Sequence, residues 1–576
     1  MLLFCFIFVG GFVRSSSSIP AEVLAVLDSQ INKVVRCHGL AGLSLTVVKD
    51  GETLFHSGYG HADLATKTPV TPDTLYAIGS VSKQFASFLL EYYQERGLLD
   101  LVQPLAPQLA EMNHDFKITD GEENEEMNLQ DLLSHRTGLP NYMGLEFLGN
   151  DTREQLFQDL HYSKQDMRQP YRQSWHYNNW LYAAAARIGE IMSGRSFEDD
   201  LQSLVYNKLG MGAGTLSDRH YLSRNLQRLA KPYVFDQSGV NRNVGDAMWV
   251  RTWNPSMTPA GGLLASGRDM AKWMNLLLSG GVLNSRQRLV RSQTINNMFR
   301  KLSDYDNWAR TFKKWSSNCV GYGEGWFLFT CPLDHNNAEY SHTGNFYSVH
   351  YSKINLYPEQ NLGIFYAFSG GNSTLNRRLF SVIDLLILDL VLNGHLNPLI
   401  ERDVNAELES WPGCQTNDFP NNLLRSNRPS QQQSLGGHVT DQDGSNLLRS
   451  HPSIRPPLFA SYLGEFRHPF LGTAELRYDD EQNPRLVLNN KWTSRVYVDS
   501  ENYGKLLNVT GHDRLVLHCF FDNIPWLPDH SRDDYNNEME ITIERPVSPK
   551  SEVQKLTISK WLKYSLNAVT FSRVKD

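Results

Sequence analysis

The sequence predicts an α+β protein: an antiparallel sheet with an inserted helical block, followed by an all-β, barrel-like unit. Three observations predict it. Across residues 20–400, β-like runs lie at both ends and helical patterns lie between them, so the sheet is expected to be assembled from distant parts of the chain. A segment rich in Asn, Gln, Ser, Pro and Arg, from Thr416 to Pro457, follows; it offers few apolar residues to bury and reads as a linker. The last ~115 residues hold short β-rich runs separated by turn residues, the spacing of a small barrel or sandwich. The expected division is 1–18, 19–400, 401–457 and 458–576: leader, main domain, linker and C-terminal β-barrel-like domain.

The elements follow in order. Leu2 to Val13 is one apolar run, followed by Arg14 and Ser15 to Ser18. It is too short for a bilayer, which needs ~20 residues, and its position and small-residue exit fit a secretory signal peptide over 1–18. Secretion to the extracellular space is therefore expected. Leu43 to Val48 and Thr53 to Tyr59 flank Lys49-Asp50-Gly51-Glu52, and Asp-Gly between β-like runs marks a tight hairpin. Phe85, Phe88, Leu89 and Tyr92 repeat with a helical period within Ser80 to Arg96, and Gly97 is a stop. Leu181 to Met192 is a helix with a small-residue run, Ala183 to Ala186. Ser266 and Asp269 form a capping box ahead of the helix Met270 to Leu278. Tyr347 to Leu356 and Leu362 to Phe368 read as antiparallel strands, and a helix runs from Thr374 to about Leu392. Its apolar stretch carries Asp384 and Asp389, so no membrane span is expected. In the last section the β-rich runs are Ala474 to Tyr478, Arg485 to Leu488, Arg495 to Val498, Arg514 to Phe520 and Glu540 to Ile543.

Composition excludes several classes. Of 576 residues, 41% are hydrophobic and 20% charged, which a largely disordered chain would not show. The net charge of −7 gives no basis for a nucleic-acid partner. Cys5 falls in the leader, leaving Cys37, Cys319, Cys331, Cys414 and Cys519. Cys319 and Cys331 are the best disulfide candidates because they are close in sequence and flank an aromatic, Gly-rich stretch; an odd count leaves one thiol over. Asn150, Asn372 and Asn508 stand in glycosylation sequons. No His or Cys cluster has zinc spacing, and the acidic runs lack a spaced calcium ligand set, so no metal is expected.

Three short motifs carry chemistry. Ser80 and Lys83 lie three apart at a helix start, within side-chain reach. A serine hydroxyl needs a base to become a nucleophile, and a desolvated lysine can supply one. Tyr177-Asn178-Asn179 feeds directly into the small-residue helix. A tyrosine beside an ammonium can shuttle protons, and an Asn side chain can position a carbonyl. His342-Thr343-Gly344 precedes a strand; a Gly there lets backbone approach a ligand, and a strand edge can donate an oxyanion N–H. His342 is placed to hydrogen-bond the substrate or the tyrosine.

In this order the three motifs resemble the serine β-lactamase-related family, in its class C β-lactamase and D-alanyl-D-alanine-peptidase-like branch, peptidase family S12. The flanks agree over most of residues 40–390, including YAIGSVSKQF, LQDLLSHRTGLPNY, WHYNNWLYAAAARIGEIM and PAGGLLASGRDMAKWM. The resemblance implies an antiparallel sheet with a helical domain and a cleft between them. It implies Ser80 as nucleophile, Lys83 as its activator, Tyr177 as general base and acid, and Asn179 as a substrate-orienting amide. The backbone N–H groups of Ser80 and Asn345 would form the oxyanion hole. The expected activity is hydrolysis of an amide or ester in a small-molecule or peptide substrate through an acyl-serine, with no cofactor. Class C β-lactamases carry Lys where this chain has His342. A mostly neutral His holds a carboxylate less firmly, so lactam hydrolysis is not the expected main activity. Tyr462 to Pro469 and Gly472 resemble the opening of the β-barrel appended to several S12 enzymes. A second reading, from resemblance to animal secretory members, is an extracellular, calcified-shell matrix protein that uses the same fold structurally.

Overall fold

A computed structural model describes residues 19–117, 121–139, 152–160, 170–235, 241–243, 254–305, 320–331, 334–371 and 375–415, and eight strands between residues 464 and 573. The leader, all three sequons, Cys319 and the segment 416–463 lie outside the described residues.

The main sheet has nine strands: β1 (Leu40–Lys49), β2 (Glu52–Asp63), β3 (Thr68–Pro69), β4 (Ser303–Asp304), β5 (Val320–Tyr322), β6 (Phe327–Cys331), β7 (Asp334–Phe346), β8 (His350–Tyr357) and β9 (Leu362–Gly370). Their order is β4-β5-β6-β7-β8-β9-β1-β2-β3, so the N-terminal hairpin adds to the edge of a late meander, as the sequence predicts. The β1–β2 turn has Asp50 at φ 53° and Gly51 at φ 84°. Two consecutive left-handed residues define the turn that matches strand twist, and Asp-Gly adopts it at low cost. Leu43, Leu45, Val47 and Val48 are all fully buried, so β1 is covered on both faces rather than alternating.

Helix α1 (Lys83–Glu95), helix α2 (Asn179–Ser193) and helix α3 (Gly267–Leu278) build the core beside this sheet. The α3 capping box forms as expected: Ser266 Oγ accepts from Asp269 N–H, and Asp269 accepts from Ser266 N–H. Phe85 of α1 stacks on Trp273 of α3 with ring centroids 4.1 Å apart. Gly267 lets α3 approach β1, since a Cβ there would lie 2.4 Å from Thr46 Oγ1.

A second unit consists of helix Ala21–His38 together with helices Asn376–Asn393, Pro398–Glu409 and Pro412–Gln415. Residues 401–415, expected as the start of the linker, are thus largely helical: Asn397 caps the helix and Pro398 stands where its missing N–H costs nothing. Cys37 and Cys414 form a disulfide, and His38 meets Trp411 edge-on at 5.3 Å. This pair is separated by 377 residues and is brought together by helix packing, while the Cys319–Cys331 pairing favoured by sequence proximity involves a residue outside the described ones.

The C-terminal strands, Gly464–His468, Gly472–Tyr478, Pro484–Leu488, Trp492–Val498, His512–Phe521, Glu538–Pro546, Lys555–Trp561 and Tyr564–Arg573, each pair antiparallel with the next. The first also pairs with the last, so this is a closed barrel rather than a sandwich. Among the described residues, no helix is long and apolar enough to cross a membrane.

The core contains one costly feature. Glu91, on α1, and Glu324, in the β5–β6 turn, are both buried, at 1% and 0% exposure. Burial pushes the Glu91 carboxyl up to about 7; burial and then the neighbouring Glu91 push Glu324 well above the usual carboxylate range. Asn297 donates to Glu91 and Gln130 to Glu324. A folded carboxyl with a raised pKa contributes fully below its unfolded value and loses that contribution as pH rises through the folded value. Stability is therefore expected to fall between pH 5 and 8, and Glu91→Gln to flatten that fall in thermal melts across the range. Ser at both Cys37 and Cys414 is expected to destabilise the four-helix unit by about 2–5 kcal/mol; calorimetry with and without reductant checks this, and an unchanged midpoint would contradict it.

Candidate active site

The site begins at a short strand. Tyr76 and Ala77 pair with Ala265 and Leu264, and the Ile78 N–H donates to Leu263 O at 3.0 Å. The chain then turns at Gly79, whose φ of +53° suits a residue without a side chain. Gly79 to Ser82 form one 3₁₀ turn before α1 proper begins at Lys83, so Ser80 precedes the α-helix rather than opening it. In a 3₁₀ turn, side chains at i and i+3 eclipse. That geometry brings Lys83 Nζ to 3.2 Å from Ser80 Oγ.

Lys83 is fully buried. Its Nζ donates to Ser80 Oγ at 3.2 Å, to Asn179 Oδ1 at 2.7 Å and to Ala260 O at 2.7 Å. Three acceptors suit the three protons of an ammonium. The same nitrogen lies 4.7 Å from the Tyr177 ring centroid and 5.3 Å from that of Tyr182. Tyr177 Oη donates to Ser80 Oγ at 2.6 Å. Ser80, Lys83, Tyr177 and Asn179, four residues from two distant motifs, therefore meet at one point.

The third motif reaches the same point. Gly344, on β7, packs directly on the nucleophile turn: a Cβ there would lie 2.0 Å from Ile78 O and 2.4 Å from Ser352 Oγ. A Cβ on Gly79 would lie 2.9 Å from the Asn345 backbone nitrogen. The Asn345 main chain thus stands beside the Gly79–Ser80 peptide. Thr343 and Asn345 are exposed, and Asn345 Oδ1 accepts from Ser348 N–H at 2.8 Å. The following turn has Tyr347 at φ 50° and Ser348 at φ 59°. Tyr-Ser is an unfavourable pair for such a turn, and backbone strain of this kind gathers near functional sites. The strand predicted from Tyr347 consequently begins at His350.

His342 departs from expectation. Its Nδ1 lies 2.7 Å from Thr343 O, and its Nε2 lies 3.0 Å from Tyr322 Oη. A carbonyl only accepts, so Nδ1 carries the proton and Nε2 receives the Tyr322 hydroxyl. Both ring nitrogens are occupied, leaving neither for a substrate or for Tyr177. Burial, with the Lys83 charge as a second cause, lowers its pKa to about 3, so the ring is neutral at ordinary pH.

Several supports were not singled out in the sequence. His135, at φ 60°, is buried within the LQDLLSHRTGLPNY stretch. Its carbonyl accepts from His176 N–H at 2.8 Å and its Nδ1 from Asn178 N–H at 3.1 Å, which clamps Tyr177 from both sides. The His135 and Tyr177 ring centroids are 4.6 Å apart. Burial holds the His135 imidazole well below its ordinary pKa. His350 Nδ1 accepts from Ala77 N–H at 3.1 Å, and Ser352 Oγ donates to Ile78 O at 2.8 Å. These two contacts tie the nucleophile turn to the sheet.

The arrangement is a serine hydroxyl held between an ammonium and a phenol, with backbone amides at its side. Residues 27–385 match the family model described as Beta-lactamase. Unguisins hydrolase ungD of Aspergillus violaceofuscus is 26% identical over 259 residues, 44% of this chain and 44% of that protein. Gigasin-6 of Magallana gigas is 26% identical over 249 residues, 41% of this chain and 76% of that protein. The octameric penicillin-binding protein homologue from Pyrococcus abyssi aligns over 95% of this chain and 99% of its own, with a TM-score of 0.52 and 17% identity, a likeness of fold. The chain spans less than half the length of the first curated relatives it matches. With residues 27–385 covering more than half of its length and the sheet, helical block and site in place, the chain belongs to the beta-lactamase family.

Proposed function

We propose that this chain is a serine hydrolase that cleaves an amide or ester bond through an acyl-enzyme at Ser80. The observation that carries this reading is the convergence of Lys83 Nζ and Tyr177 Oη on Ser80 Oγ, at 3.2 and 2.6 Å. Lys83 has the donor geometry of a cation, so its charge is placed to offset negative charge on the Tyr177 oxygen or on Ser80. For this step Tyr177 acts as a phenolate: its own proton leaves to solvent, the Lys83 charge offsets the negative oxygen, and the phenolate takes the Ser80 proton as Ser80 Oγ bonds to the substrate carbonyl carbon. The carbonyl oxygen becomes an oxyanion, which the backbone N–H groups of Ser80 and Asn345 are proposed to hold. Tyr177 returns the proton to the departing nitrogen or oxygen as its bond to carbon breaks. Water, activated by the same Tyr177, releases the acyl group and restores Ser80.

Asn179 is proposed to orient the substrate while anchoring Lys83. The neutral, fully engaged His342 lacks a cation for a substrate carboxylate, which supports substrates other than β-lactams. We also propose that the protein is secreted: the apolar run Leu2 to Val13 and the Cys37–Cys414 disulfide both fit an oxidising compartment. Matrix association rests on sequence resemblance alone, and no contact in the site favours it over catalysis.

Ser80→Ala is expected to abolish hydrolysis of short esters and labelling by a fluorophosphonate probe; labelling that survives it would overturn the assignment. Tyr177→Phe and Lys83→Ala are each expected to lower kcat by roughly 10²–10⁴-fold, the usual contribution of a proton-transfer group. Gly344→Ala is expected to cost comparable activity without touching any reacting side chain, because the new methyl would push the nucleophile turn away from β7. Steady-state kinetics on folded variants checks each.

A further inference from the structure

We propose that Trp175, Tyr305 and Phe327 form the leaving-group subsite, and that the preferred substrates carry an apolar or aromatic, uncharged leaving group. This rests on the assignment of Ser80 and Tyr177 above and adds the direction and chemistry of the departing half of the substrate.

The group that returns the proton must stand beside the departing atom. Tyr177 Oη is the phenol at Ser80 Oγ, so the leaving group departs on the Tyr177 side. That side is lined by rings. Trp175 lies 5.8 Å from Tyr177, Tyr305 lies 4.5 Å from Trp175, and Phe327 lies 5.2 Å from Tyr305, all between ring centroids. Phe327 closes the circuit against His342 at 5.1 Å, and His342 lies 6.3 Å from Tyr177. Beneath them, Tyr322 touches Trp175, Phe327 and His342 at 5.6, 4.9 and 5.9 Å.

The layers differ in exposure. Tyr322 and His342 are buried and form the floor, whereas Trp175, Tyr305 and Phe327 are half-buried and present ring surface. Three partly exposed aromatics continuous with a nucleophile are the composition of a ligand pocket. Recognition there comes from ring stacking and apolar burial. The floor offers no help to an anion. His342 is neutral, and the Tyr322 hydroxyl and both His342 nitrogens are engaged with each other or with Thr343 O. None of these described ring residues is a cation, so a carboxylate placed against them would lose water and gain no ion pair from them. A phenyl or alkyl group would gain contact on several sides.

The test uses the full chain and three acetate esters with a common acyl group: methyl acetate, benzyl acetate and 4-(acetoxymethyl)benzoate. Benzyl acetate and its para-carboxylate have leaving alcohols of similar reactivity, so their ratio reports recognition rather than chemistry. Wild type is expected to show kcat/KM for benzyl acetate about tenfold above the carboxylate, the scale for one apolar contact group. Trp175→Ala and Tyr305→Ala are expected to lower the benzyl-to-methyl ratio several-fold, mainly through KM. Equal kcat/KM for the benzyl and carboxylate esters, or a benzyl-to-methyl ratio unmoved in both variants, overturns the subsite. The wild-type comparison needs no variant to fold. Fluorophosphonate labelling separates the two levels. A wild type that labels at Ser80 but shows no benzyl preference overturns the subsite alone; one that does not label overturns the subsite together with the serine hydrolase reading.

Discussion

A lysine with no exposed surface sets the terms for this fold. Lys83 carries its ammonium into the core, and an unsatisfied charge there would cost many kcal/mol. The structure meets that demand with oxygens from three separate places: Ser80 on its own turn, Asn179 at the start of the small-residue helix and the Ala260 carbonyl. Faces of Tyr177 and Tyr182 complete the surroundings. Each partner fixes a different segment, so one buried cation aligns the nucleophile turn, the Tyr177 segment and the chain around residue 260. The small side chains Ala183 to Ala186, all nearly or fully buried, belong to the helix that delivers Asn179.

The second constraint is backbone proximity between the nucleophile turn and the sheet. Gly79 faces the Asn345 main chain and Gly344 the Ile78 main chain at distances a methyl group would violate. The contacts of Ala77 with His350 and of Ile78 with Ser352 hold that approach. An oxyanion site made from main-chain amides needs such rigidity, because its donors must be in place before charge develops. Around it, the protein keeps two histidines neutral by burial, His135 and His342. They serve as shaped, uncharged supports for Tyr177 and β7, and the positive charge of the site stays with Lys83.

Much of this was legible in the sequence. Asp50-Gly51 named its hairpin, Ser266 and Asp269 named a helix start, and the distribution of strands foretold a sheet joined from both ends of the section. Ser80, Lys83, Tyr177 and Asn179 were singled out by their chemistry and order, and the fold brings their side chains into contact. What stayed hidden was long-range pairing. Cys37 and Cys414 meet only because helices from opposite ends of the section pack together, and nothing local in either sequence announces that. His342 looked like a ligand donor because a lone histidine does not reveal which partners occupy its nitrogens; Tyr322, on a neighbouring part of the sheet, decides it. Helices at Pro398–Glu409 and Pro412–Gln415 were absorbed into a linker defined by composition, since a short apolar stripe such as Val404 and Leu408 is weak beside so much polarity.

The central claim is that Ser80, poised between Lys83 and Tyr177, becomes covalently acylated during turnover. Rapid-quench intact-mass analysis with an activated ester, followed by peptide mapping, tests it most directly. The account predicts a transient gain of one acyl mass, located on the peptide that contains Ser80, forming and decaying at rates compatible with turnover. Product release with no acylated species at any time, or an adduct on another residue, would contradict it.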